Sequence, residues 1–197
     1  MCKKRIGVLF GGRSEEHEVS LISASSVIRA LDSEKFVPIY IGITRNGKWK
    51  KYDGPAEKIQ DGSWEETATD LEPGHLSEIV DFALPILHGP YGEDGCIQGF
   101  LETLGIPYGG CGVLASAVSM DKQLFKQLMK ENSLPVCGYI SFTRKEALKD
   151  LQKAALKVME AVGLPCFVKP ANMGSSVGIN KASTEEKLIK ALKNACL

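Results

Sequence analysis

Two stretches carry residue types that can do chemistry. The first is GGRSEEHEVS, residues 11 to 20, directly after the apolar run Ile6 to Phe10. Two glycines leave the strand, and Glu15, Glu16, His17 and Glu18 then crowd the start of a helix, where the dipole and the free amides stabilise negative charge. One carboxylate there is ordinary; three within four positions ask for a reason. The second stretch is FVKPANMGSSVG, residues 167 to 178, a lysine at the end of a buried strand followed by a glycine- and serine-rich loop. Such a loop can turn successive amides toward a phosphate, with Lys169 as the point charge and Ser175 and Ser176 as hydroxyl donors. The same composition also fits a flexible turn beside a lysine whose stem lies along apolar surface.

Alternating strands and helices must position these residues. Arg5 to Phe10 is expected as a strand and Val19 to Leu31 as a helix with Leu21, Ile28 and Leu31 on one face. Val37 to Ile43 is a second strand, and Asn46-Gly47 before Trp49 is the favoured two-residue hairpin turn. Asp53 to Ser77 reads as a variable loop region with one short helix. Ile79 to Leu87 is a strand broken by Pro85, Glu93 to Leu104 a helix, and residues 105–110 a short strand closing in a glycine turn. Beyond a boundary near 115–121, helix 121–132, strand 136–142, a helix opened by the capping box Thr143-x-x-Glu146, strand 164–170, a short strand 176–181 and a helix capped by Ser183-x-x-Glu186 follow. This order predicts an α/β domain with a mostly parallel sheet and a ligand crevice at the strands' carboxyl ends. His88-Gly89-Pro90-Tyr91-Gly92-Glu93-Asp94-Gly95 follows the third strand at that same edge, so two polar loops there can face one ligand.

Composition excludes several classes. The 197 residues hold 24 Lys plus Arg against 24 Asp plus Glu, so no basic excess advertises nucleic acid or an anionic membrane. The first apolar run stops short of the roughly 7–15 residues of a secretory signal, and none reaches the roughly 20 of a membrane span. A cytoplasmic location follows as the expectation. The six cysteines lie far apart, with no C-x-x-C, and read as reduced thiols. G-x-G-x-x-G and the P-loop pattern are both absent, so no dinucleotide site is inferred.

GGRSEEHEVSL, LHGPYGEDGCIQG, SMDK at 119–122 and FVKPANMGSSVG stand in the order and spacing of the D-alanine:D-alanine ligases of the ATP-grasp superfamily, which the chain resembles from about residue 4 onward. The resemblance implies an N-terminal Rossmann-like, pre-ATP-grasp α/β domain over 1–118 and the first α+β subdomain of an ATP-grasp module over 119–197, truncated. It implies that Glu16 holds the ammonium of the first D-alanine and orients the active-site serine, Ser175, with Val19 and His88 lining that substrate's site. Lys122 and Lys169 match two lysines on the phosphates of ATP, and Gly174, Ser175 and Ser176 the loop over the transferred phosphate. Read alone, Lys122 is a solvated helix residue and His88 a packing histidine; Glu18 is second to Glu16 or solvated, and His17 is expected on the surface.

The implied reaction is activation of one D-alanine carboxylate by ATP and attack by a second D-alanine's amine, for peptidoglycan precursors, in a cytoplasmic homodimer. The family continues beyond the point matched by Leu197, with a lid and the Mg2+ ligands, so no metal ligand is expected in this chain and the chain alone is expected to be inactive. The competing expectations are a folded fragment that only binds or dimerises, a D-alanine:D-lactate or D-alanine:D-serine ligase, and an ATP-grasp ligase for another carboxylate and amine.

Overall fold

The computed structural model describes residues 3–174 and 176–196, and the chain divides into two compact units, Met1–Val118 and Ser119–Leu197. In the first unit β1 (Lys4–Gly11) leads into α1 (His17–Ala30), followed by β2 (Phe36–Ile43), β3 (Trp49–Tyr52), α2 (Ala56–Gln60), β4 (Thr69–Asp70), α3 (Leu76–Ile79), β5 (Phe82–Pro85) and α4 (Cys96–Thr103), and α5 (Val113–Met120) runs across the division at Val118. The five strands form one sheet in the order β4-β3-β2-β1-β5, with β1 parallel to both neighbours and the two outer pairs antiparallel.

The central strand is apolar almost throughout because it is covered on both faces. Ile6, Val8 and Phe10 pack with Leu21, Ala24 and Ile28 of α1 and with Trp64. Leu9 points the other way, among Ile41, Leu76, Ile97 and Leu101. Successive strand residues alternate faces, so one eight-residue strand nucleates both cores. Trp64 is fully buried, meets Phe10 edge-on at 5.0 Å, and occupies the space that a side chain at position 42 would need, which is why β2 carries Gly42 there.

β1 connects through α1 to β2 on one side, whereas the chain leaving β5 returns as a bridge from Ala83 to Tyr108 on the other. The loops after β1 and β5 therefore diverge from adjacent strands. Divergence of this kind opens a crevice at the carboxyl edge.

Several local expectations are corrected. Residues 53–77 hold more than the one short helix expected: besides α2 there are two 3-10 turns, β4 and the start of α3, and they supply Ile59, Trp64 and Leu76 to the cores. Ile79 ends α3, so the third parallel strand is shorter than expected and keeps Pro85 as its last residue. The hairpin is a three-residue loop, Arg45 to Gly47, closed by Thr44 N–H to Lys48 O at 2.9 Å, with Gly47 at φ 85°. The helix after β5 begins only at Cys96, since Gly95 at φ 94° is its N-cap.

The second unit contains α6 (Lys122–Glu131), α7 (Arg144–Lys149), α8 (Leu151–Ala161), β6 (Cys166–Val168), β7 (Asn180–Ala182) and α9 (Glu185–Ala195). Its core joins Ala154, Ala155 and Val158 of α8 to Cys166, Ala182, Leu188 and Leu192. The expected strand 136–142 makes no ladder: Ile140 and Phe142 pack on that core, but no described strand pairs with their backbone. The capping box at Thr143 and Glu146 is present, yet the helix it opens stops at Asp150, whose extended backbone (φ −160°, ψ 93°) breaks the run and whose carboxylate accepts from Lys153 N–H to cap α8. The last cap is Thr184 instead of Ser183, accepting from Lys187 N–H. β6 and β7 pair antiparallel from Cys166 with Ala182 to Val168 with Asn180, and the expected strand at 176–181 is a turn over 176–178 and strand only from Asn180 onward.

Candidate active site

In the first unit the two polar loops meet at the crevice. Gly11 and Gly12 lie at φ 85° and 98°, which lets the chain turn sharply off β1. Ser20, fully buried on α1, accepts from Gly11 N–H at 2.8 Å and donates to Ile86 O, so one hydroxyl ties the ends of β1 and β5 together. Ser14 donates to His88 O at 2.7 Å and accepts from Glu16 N–H at 3.2 Å. This places Glu16, the N-cap of α1, against the histidine loop. A Cβ on Gly89 would collide with Glu16 Oε2, so glycine at 89 (φ 69°) is what admits the carboxylate.

His88 is half-buried, its Nε2 3.2 Å from Ser23 Oγ. The loop it opens is itself fixed: Gly89 N–H donates to Glu93 at 2.8 Å, and Tyr91 and Cys96 N–H both donate to Asp94. Burial works against the Asp94 carboxylate, but these two amides outweigh it and hold its pKa below the ordinary value. Tyr91 keeps φ 68° and receives the Arg13 guanidinium 5.4 Å above its ring.

The three carboxylates of the opening cluster separate. Glu15 is exposed, and Glu18 pairs with Arg45 of the hairpin loop, which lowers its pKa. Glu16 alone turns to the histidine loop, and Val19 stands half-exposed one turn into α1. His17 corrects the sequence expectation: it is 4% exposed, with Nδ1 2.7 Å from Gly12 O. Its spacing from the glycine turn was the available signal, but only the folded turn brings the carbonyl over the ring. Ser14, Ser20 and Gly89 were also missed, because a serine bridging two strand ends leaves no periodic mark.

In the second unit Lys122 opens α6 behind the N-cap Asp121, and its Nζ donates to Met173 O at 2.5 Å and Ala171 O at 3.4 Å. Its N–H also bonds Ala171 O, at 3.1 Å. Desolvation, and then the like charge of Lys169, lower the Lys122 pKa. Lys169 is exposed at the end of β6. Gly174 O accepts from Val177 N–H at 2.9 Å, and Ser176 sits exposed in that turn at φ 63°. Ser175 lies outside the described residues. The two lysines and the loop are thus neighbours, an arrangement that can meet phosphate oxygens with positive charge and amides. Among the described residues no group of three or more His, Cys, Asp or Glu is placed to hold a metal ion. No described helix is long and apolar enough to cross a membrane.

Two family descriptions match the chain: D-ala D-ala ligase N-terminus over residues 5–111 and D-ala D-ala ligase C-terminus over 128–197. A D-alanine--D-alanine ligase from Ruminiclostridium cellulolyticum is 44% identical over 219 aligned positions, covering 99% of this chain and 58% of that protein. Among solved structures, the VanG D-Ala:D-Ser ligase from Enterococcus faecalis superposes with a TM-score of 0.83 at 38% identity, and the D-alanine-D-alanine ligase from Coxiella burnetii with 0.85 at 31%. Each covers 98% of this chain, which spans 60% of either structure. The first of the two matched regions alone takes in more than half of the residues, and on that match the chain belongs to the D-ala D-ala ligase family.

Proposed function

We propose that the chain supplies the first-substrate site and the phosphate-side lysines of an ATP-dependent ligase that joins two D-alanines for peptidoglycan precursors. The observation that carries this reading is the meeting of Glu16 with the His88 loop at the edge of the first unit's sheet. A free amino acid is a zwitterion. Glu16 offers a carboxylate for its ammonium, and the His88 ring a donor for its carboxylate.

In the reaction, a carboxylate oxygen of the first D-alanine attacks the γ-phosphorus of ATP and ADP leaves, giving an acyl phosphate. The amine of a second D-alanine adds to that carbonyl, loses a proton, and the tetrahedral intermediate expels phosphate to leave the peptide bond. Glu16 and His88 orient the first substrate, while Lys122 and Lys169 offset charge on the transferred phosphoryl oxygens. Gly174, Ser175 and Ser176 are assigned to the loop over that group by the matching motif. Cytoplasmic location and a homodimer belong to the same reading, supported by the resemblance of the four motifs.

The likeness to the VanG D-Ala:D-Ser ligase supports a second reading in which the acceptor is D-serine. Calorimetric titration of the 197-residue chain tests the shared core of both. D-alanine is expected to bind saturably, L-alanine much more weakly, and Glu16→Gln to abolish binding. Equal affinity for both enantiomers sinks the substrate reading. Addition of ATP and D-alanine to the 197-residue chain is expected to release no phosphate, and turnover would overturn that expectation.

A further inference from the structure

We propose that His17 is a positioning residue for the Glu16 carboxylate, acting through a clamp on the Gly11–Gly12 turn. The proposal takes its substrate from the D-alanine reading, but the clamp stands on geometry alone. Gly12 O is a carbonyl and can only accept, so at 2.7 Å the His17 Nδ1 carries a proton and donates it. On its other side Gly12 donates N–H to Ile43 O at 2.7 Å. Gly12 is therefore held from both directions, by β2 and by the imidazole.

The ring is closely packed on the side of the turn. It is 4% exposed, and a Cβ on Gly11 would stand only 2.9 Å from its Cε1. His17 follows Glu16 directly, so its ring joins the first residue of α1 to the start of the loop that carries Ser14 and Glu16. Inside that loop His17 N–H donates to Ser14 O at 3.2 Å, and the Ser14 hydroxyl reaches His88 O and the Glu16 amide. Releasing the ring frees both ends of the segment that aims Glu16. The imidazole does not itself face the substrate. It lines a polar pocket of about 410 Å³ with Glu18, Arg45, Asn46, Gln60, Asp61 and Glu65, and none of Glu16, His88 or Gly89 lines that pocket.

Two substitutions separate the clamp from simple bulk. Asparagine can place an amide N–H near the former Nδ1, whereas glutamine places its amide near the former Nε2 and cannot reach Gly12 O. His17→Gln is expected to weaken D-alanine binding about tenfold, in keeping with the cost of a small displacement in a positioned site, while His17→Asn stays within about threefold of the parent. Nitrogen-15 NMR of the unsubstituted chain is expected to show a protonated Nδ1 and an unprotonated Nε2. The opposite tautomer overturns the clamp, as does an unchanged affinity in His17→Gln or equal losses in both variants that merely track their melting temperatures. If the parent chain binds no D-alanine, the substrate reading fails; the clamp is then decided by the tautomer together with the Glu16 and Gly89 resonances, which shift in His17→Gln and not in His17→Asn.

Discussion

The turn after β1 and the loop after β6 both carry glycine at a sharp change of direction, but they are held by opposite means. The first is fastened from inside: Ser20 and His17 are buried, and each ties a main-chain group of the turn. The second is fastened from the edge, by one half-buried lysine whose ammonium rests on the carbonyls of Ala171 and Met173. A buried hydroxyl has no water to compete for it, so the first turn is preorganised. An ammonium near the surface keeps water as a competitor for its carbonyls, so the second loop is held less firmly.

Breaking the inner fastening is expected to have the largest effect. Ser20→Ala leaves Gly11 N–H and Ile86 O without their partner, at a cost of roughly 2–4 kcal/mol for two buried groups. Both tryptophans, Trp49 and Trp64, belong to the first unit, so denaturant unfolding followed by their fluorescence reports that loss directly. A change below the measurement error would show that the hydroxyl is dispensable and the contrast is false.

Lys122→Met sharpens the other side. It is expected to cost about 1 kcal/mol in the second unit, since the bond is charge-assisted but partly solvated. Amide exchange from Ala171 to Gly174 should quicken severalfold while the Gly11 and Gly12 amides stay as they were. Uniform acceleration across both units would mean that the lysine supports global stability instead of one loop.

The smallest effect concerns pH. Asp81 accepts from the Arg5 side chain and its N–H at the start of β1, and the Arg5 hydrogen bond holds its pKa at about 2 against an ordinary 3.8. Because the folded-state value is the lower one, the contribution is complete above 3.8 and fades as pH falls through about 2. The melting temperature is therefore expected to fall less steeply across that window in Asp81→Asn than in the parent. Identical slopes would assign the acid response to other carboxylates.

Much of this was legible before folding, for reasons that differ by element. β1 and α1 were visible because a strand covered on both faces is continuously apolar and a helix covered on one face repeats its apolar residues. Residues 53–77 were misread because Ile59, Trp64 and Leu76 enter the cores one at a time from short turns, leaving no period to detect. α5 was missed for a related reason: its residues are small and nearly all apolar, so no face stands out. Strand 136–142 has the right residues, but a strand exists only with a partner, and pairing is not a local property. At the site, the motif singled out Glu16 and His88, whereas the hydroxyls and glycines that bring them together needed the diverging strand ends.

The Arg45–Glu18 ion pair has a consequence for selectivity. By occupying one acidic neighbour and leaving Glu15 in solvent, the hairpin keeps the crevice from acting as a polyanionic trap. Of the three carboxylates that open α1, one is thus matched by a cation and one stands in water, so the crevice holds less fixed negative charge than its sequence suggests.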